Sequence, residues 1–155
     1  MVAVDIQLRD NVPMDTSSSP YALARELAES AEVEWLRDLV DALDRELRVA
    51  PLERLVVLWD LSNAAAARLF GVSRQAFAKW LETGPPGNRV DEVTAVDDIT
   101  GLLDRHVTRE RIPAVVRRTA RNLGDRSLLE VLEAGDYELA TRVMREAFDL
   151  RRVQP

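Results

Sequence analysis

The sequence predicts an all-α fold: a helix-turn-helix bundle followed by a small C-terminal helical domain and preceded by an N-terminal helical extension. Three observations predict it. Apolar residues recur at helical spacing over most of the chain, Ser, Pro and Gly punctuate it at intervals suited to short helices, and residues 63–82, NAAAARLFGVSRQAFAKWLE, carry the full spacing of two helices joined by a sharp turn. The expected division is residues 1–49 for the extension, 50–106 for the helix-turn-helix domain and 107–155 for the C-terminal domain.

Composition bounds the function. With 155 residues, of which 46% are hydrophobic, the chain can bury a real core as one domain or two small ones. It has no cysteine and a single histidine, His106, which disfavours a disulfide frame, a transition-metal site and a cysteine nucleophile. Neither a Gly-x-Ser-x-Gly elbow nor a glycine-rich phosphate loop occurs, so an enzyme is not expected and no cofactor is implied. No apolar run approaches the roughly 20 residues of a membrane helix, and the N-terminus lacks a signal-peptide pattern. A soluble, cytoplasmic protein is therefore expected, with no membrane partner.

The net charge of −6 is unevenly spread. Residues 1–62 carry 6 positive and 13 negative side chains, residues 63–126 carry 11 and 8, and residues 127–155 carry 4 and 6. Only the middle third is basic, and affinity for a polyanion follows local charge. Binding by that segment should be salt-sensitive, modest for a monomer, and helped by dimerisation.

In chain order, Val2, Val4, Ile6 and Leu8 permit a short strand or a loose terminus. Asn11 to Ser19 reads as a linker, and Pro20 as the first residue of a helix that continues to about Val49. Within it Val33, Leu36, Val40, Leu43 and Leu47 have the 3, 4, 3, 4 spacing of a coiled-coil seam. The seam either packs on its own chain or pairs with a second copy to form a homodimer. Pro51 should open a new helix over Leu52 to Asp60.

In the motif itself, Ser62 and Ser73 can cap the two helices, and Gly71 can take positive φ at the turn. Phe70, Val72, Phe77 and Trp80 fall on the inner faces. Ser73, Arg74, Gln75 and Lys79, the chain's only lysine, are then left as candidate contacts to double-stranded DNA. Such residues can meet base edges or only phosphates, and an alanine-rich hairpin that touches no nucleic acid is the alternative. Gly84 to Gly87 end the second helix, and Asn88 to His106 form the next, with Val90, Val93, Ile99, Leu102 and Leu103 inward.

The last segment reads as a helix over 113–121, a turn at Leu123 to Asp125, a short helix between Ser127 and Gly135, and a final helix from Asp136 to about Phe148. Ile112-Pro113-Ala114, Leu123-Gly124-Asp125-Arg126-Ser127, Leu129 to Leu132 and Gly135-Asp136-Tyr137 follow a helix-turn-helix that ends in Trp80. In that order of parts, over about residues 52–150, the chain resembles antitoxins with an Xre-like helix-turn-helix and an Xre/MbcA/ParS-type toxin-binding domain. It departs from the family's pattern at Val115, Thr119, Asp125 and Leu128, where Trp, Pro, Gly and Pro are usual.

The resemblance implies a type II antitoxin. Such a protein represses its own operon through the helix-turn-helix and inhibits a cognate toxin of the RES or ParT class, which acts on NAD, by covering its active site with the C-terminal domain. Tyr137, Arg145, Arg151 and Arg152 are the toxin contacts it suggests. Two alternatives stand beside it: a helix-turn-helix transcriptional regulator without a toxin, and an adaptor that does not bind DNA.

Overall fold

The last turns of the longest helix anchor the core. In the computed structural model, which describes residues 19–149, the described residues form an all-α fold. α1 spans Pro20–Ser30 and α2 Val33–Leu58. The two compact units divide between residues 41 and 42. In the first unit α1 buries none of its residues, and Val33 and Val40 of α2 are exposed.

The second unit holds one continuous core. It runs from Leu52, Leu55 and Trp59 of α2 and its end to Val143, Met144 and Phe148 near the C-terminus. Residues on both sides of 106/107 share that interior: Ile112, Val116 and Leu132, all at 0% exposure, belong to the same core as Trp59 and Phe77.

Two boundaries within the N-terminal part differ from expectation. The helix starting at Pro20 stops at Ser30, whose hydroxyl bonds back to the Glu26 carbonyl at 2.7 Å, and Ala31 is extended. Pro51 does not open a helix; it lies inside α2. A proline there removes one backbone bond and crowds the preceding turn, at a cost of about 3 kcal/mol. Burial of Leu52, Leu55 and Leu58 on the turns that follow offsets it, at about 1.5–3 kcal/mol per side chain.

α2 ends in a Schellman motif. Asp60, with φ of 51°, donates its N–H to the Val57 carbonyl while Leu61 donates to that of Val56. The same motif closes α3 (Asn63–Leu69), where Gly71 has φ of 62° and Val72 donates to Ala67. α4 follows at Arg74–Thr83. It stops at Gly84, where an added Cβ would stand 2.7 Å from Cβ of Arg48, so only glycine lets the chain pass α2 there.

α5 (Val90–His106) is preceded by a 3-10 turn at Gly87–Arg89. Val93, Val96, Ile99, Thr100 and Leu103 are its buried residues, whereas Val90, expected inside, is 41% exposed at the first turn. α6 covers only Ile112–Arg117, shorter than expected, because Arg118 is extended and Ala120 bridges to Arg126. α7 (Leu128–Glu133) starts in a capping box, Ser127 and Glu130 exchanging bonds with each other's backbone N–H. α8 (Tyr137–Asp149) pairs most extensively with α5, and His106 stacks on Phe148 with centroids 4.8 Å apart. The expected N-terminal strand lies outside the described residues, as does all of the linker before Ser19.

Candidate nucleic-acid interface

The turn from α3 to α4 is built locally and braced from a distance. Ser62 and Ser73 each accept a bond at 3.1 Å, from the N–H of Ala65 and of Ala76 respectively. Phe70, Phe77 and Trp80 interlock behind the turn, with ring centroids 5.7 to 6.4 Å apart. Packed in this way, the buried side of α4 is fixed, and Arg74, Gln75 and Lys79 are all exposed.

Gln75 and Lys79 are one turn apart and share a face. Arg74 stands beside them in the first turn, next to the helix N-terminus, whose free N–H groups and dipole favour phosphate. Among the described residues neither Arg74 nor Lys79 has an ion pair. Ser73 is exposed, but its oxygen is already engaged as the cap. Glu82, on the same stripe as Gln75 and Lys79, limits the basic face to the first two turns.

The C-terminal half holds this hairpin by three polar contacts that no local pattern announces. Tyr137 donates its hydroxyl to the Leu69 carbonyl at 2.5 Å, Arg89 donates to that of Phe70 at 3.3 Å, and Arg68 pairs with Glu133 at 3.3 Å. Burial, with the Glu92 carboxylate nearby and against the effect of Arg89, pushes the Tyr137 phenol up to about 12. Arg117 does the same for the end of α2, donating to the carbonyls of Trp59 at 2.9 Å, Asp60 at 2.7 Å and Pro113 at 2.8 Å.

Of the residues suggested as toxin contacts, Tyr137 is thus half-buried with its hydroxyl engaged inside the fold. Arg145 is exposed and pairs with Asp98 at 3.1 Å across α8 and α5. The cleft beside it also receives Arg54, paired with Asp97 at 2.6 Å, and Arg105. Arg151 and Arg152 lie outside the described residues.

No family model matches the chain. No solved structure matches it either. Among curated proteins it is similar to the valine–tRNA ligase of Xanthomonas euvesicatoria pv. vesicatoria, 30% identical over an alignment 122 residues long that covers 68% of this chain and 12% of the ligase. It is similar also to the valine–tRNA ligase of Xanthomonas oryzae pv. oryzae, 29% identical over an alignment 126 residues long that covers 71% of this chain and 12% of that protein. The chain spans 12% of the length of these relatives.

No helix among the described residues is long and apolar enough to cross a membrane.

Proposed function

We propose that this chain is the antitoxin of a toxin–antitoxin pair, cytoplasmic and without catalytic activity or a cofactor. It binds the duplex of its own promoter through the first two turns of α4. It inhibits a cognate toxin of the RES or ParT class by covering the toxin's active site with its C-terminal part. The observation that supports the reading most is the outer face of α4: a capped, rigidly backed helix start with Arg74, Gln75 and Lys79 exposed and the two cations without an ion pair among the described residues. The order of turns after Ile112, which resembles the toxin-binding domain of such antitoxins, supplies the toxin half.

Inhibition in this scheme is by occupancy. Arg145 can exchange Asp98 for an acidic group of the toxin at small cost, since an exposed ion pair is worth no more than about 1 kcal/mol. Tyr137, by contrast, acts indirectly, positioning α3 against α8.

The test is intracellular NAD after induction of the neighbouring open reading frame, with and without this chain. A fall in NAD that co-expression prevents is the expected result. A harmless neighbour and constant NAD would overturn the toxin half. It would leave a transcriptional regulator, the reading favoured by the internal bond of Tyr137, in which α7 and α8 serve only to brace the α3–α4 pair.

A further inference from the structure

Three arginines from three helices line one cleft of the unit that begins at residue 42. Arg54 comes from α2, Arg105 from α5 and Arg145 from α8, and the cleft they share has a volume of about 330 Å³. Asp97 and Asp98 line it too, so these side chains carry three positive charges against two negative. Each aspartate takes one arginine: Asp97 holds Arg54 at 2.6 Å and Asp98 holds Arg145 at 3.1 Å. Arg105 is left over, with no ion pair among the described residues.

The wall of the cleft carries a glycine that the fold does not ask for. Gly101 lies one turn after Asp97 and one turn before Arg105, so the three share a face of α5. Apart from proline, glycine is the least favourable residue inside a helix. Its φ here is not positive, and an added Cβ would stand 3.7 Å from the Arg54 guanidinium, an ordinary contact. Alanine would therefore fit. What the missing side chain preserves is room in the cleft beside Arg54.

We propose that this cleft binds the phosphoryl group of a small molecule, with Arg54, Arg105 and Arg145 donating to its oxygens. The inference does not rest on the antitoxin reading. Planar guanidinium forks match phosphate oxygens in pairs. Both existing ion pairs are partly exposed and individually weak, so a compact dianion can draw Arg54 and Arg145 from their aspartates. The same aspartates set the size of the ligand. A cleft with one net positive charge suits one compact anion, and its carboxylates repel the further phosphates that a nucleic-acid strand would bring.

The test is calorimetric titration of pyrophosphate into the full chain at an ionic strength of about 20 mM, where screening is weak. Binding at one site is expected. Arg54→Gln and Arg105→Gln should each weaken it about ten-fold, and because both arginines are exposed the unfolding midpoint should persist. Asp97→Asn releases Arg54 and should tighten binding several-fold. Gly101→Ala separates fold from site: it should raise the urea midpoint, alanine being the better helix former, while weakening pyrophosphate several-fold. No binding, binding that survives both glutamine variants, or an unchanged affinity in Asp97→Asn or Gly101→Ala would each overturn the proposal. So would duplex DNA that displaced pyrophosphate from a chain carrying Arg74→Ala and Lys79→Ala, since the phosphate would then belong to a strand.

Discussion

The outer face of α4 and the polar groups of the C-terminal half differ in what their side chains are doing. On α4, Arg74 and Lys79 reach solvent without an ion pair among the described residues. In the C-terminal half, Arg117, Glu130 and Tyr137 all bond within the chain. The difference teaches how to separate recognition from support. A side chain whose bonds are already made within the fold reports on stability when it is removed, and one without them reports on a partner.

The largest effect should come from the free face. Arg74→Ala with Lys79→Ala should lower affinity for promoter duplex by about 100-fold and reduce its salt dependence by about two phosphate contacts. Thermal unfolding should stay within about 0.5 kcal/mol of the parent. Equal affinity in a filter-binding or anisotropy titration at two salt concentrations would show that this face does not meet DNA.

Next is the committed side. Arg117→Met should cost about 2 kcal/mol in urea unfolding, because it strips a charged donor from two carbonyls at the end of α2 and from that of Pro113 in α6. Any loss of DNA binding should track that instability and disappear at low temperature, where the fold is intact. Should binding fail in a fully folded sample, Arg117 would belong to the interface instead.

Ser73 sits on the line between the two classes. Ser73→Ala should lose about 1 kcal/mol of stability with the cap, whereas Ser73→Asp keeps a capping oxygen and adds a charge that phosphate repels. The pair of variants, compared by calorimetry and by duplex binding, should therefore separate: Ala less stable, Asp stable but at least several-fold weaker on DNA.

The smallest effect belongs to Tyr137. Its phenol is raised in the fold to about 12, above the ordinary value near 10, so the neutral form is the one the fold prefers. Its contribution is fully present below pH 10 and is lost as pH rises towards 12. Tyr137→Phe should cost about 1 kcal/mol at pH 8 through the bond to Leu69, and should show a shallower fall in stability between pH 10 and 12. Denaturant midpoints at pH 8, 10 and 11 for both proteins check the sign.

What the sequence by itself determined is local. The all-α class, the caps at Ser62 and Ser73, the positive φ at Gly71 and the aromatic cluster of Phe70, Phe77 and Trp80 depend on hydrogen bonds and contacts that close within about ten residues. Spacing can express such relations. Only the tertiary structure decided that α2 runs through Pro51, since the burial of Leu52, Leu55 and Leu58 against distant helices outweighs a local cost. It also decided that Tyr137 bonds to Leu69, Arg117 to Trp59 and Arg145 to Asp98. Their partners lie 68, 58 and 47 residues away in the chain, and no periodicity encodes a meeting at that separation. The seam of α2 joins the two kinds of information. Its spacing is written in the sequence, but the exposure of Val33, Val40, Leu43 and Leu47 is a property of the folded chain.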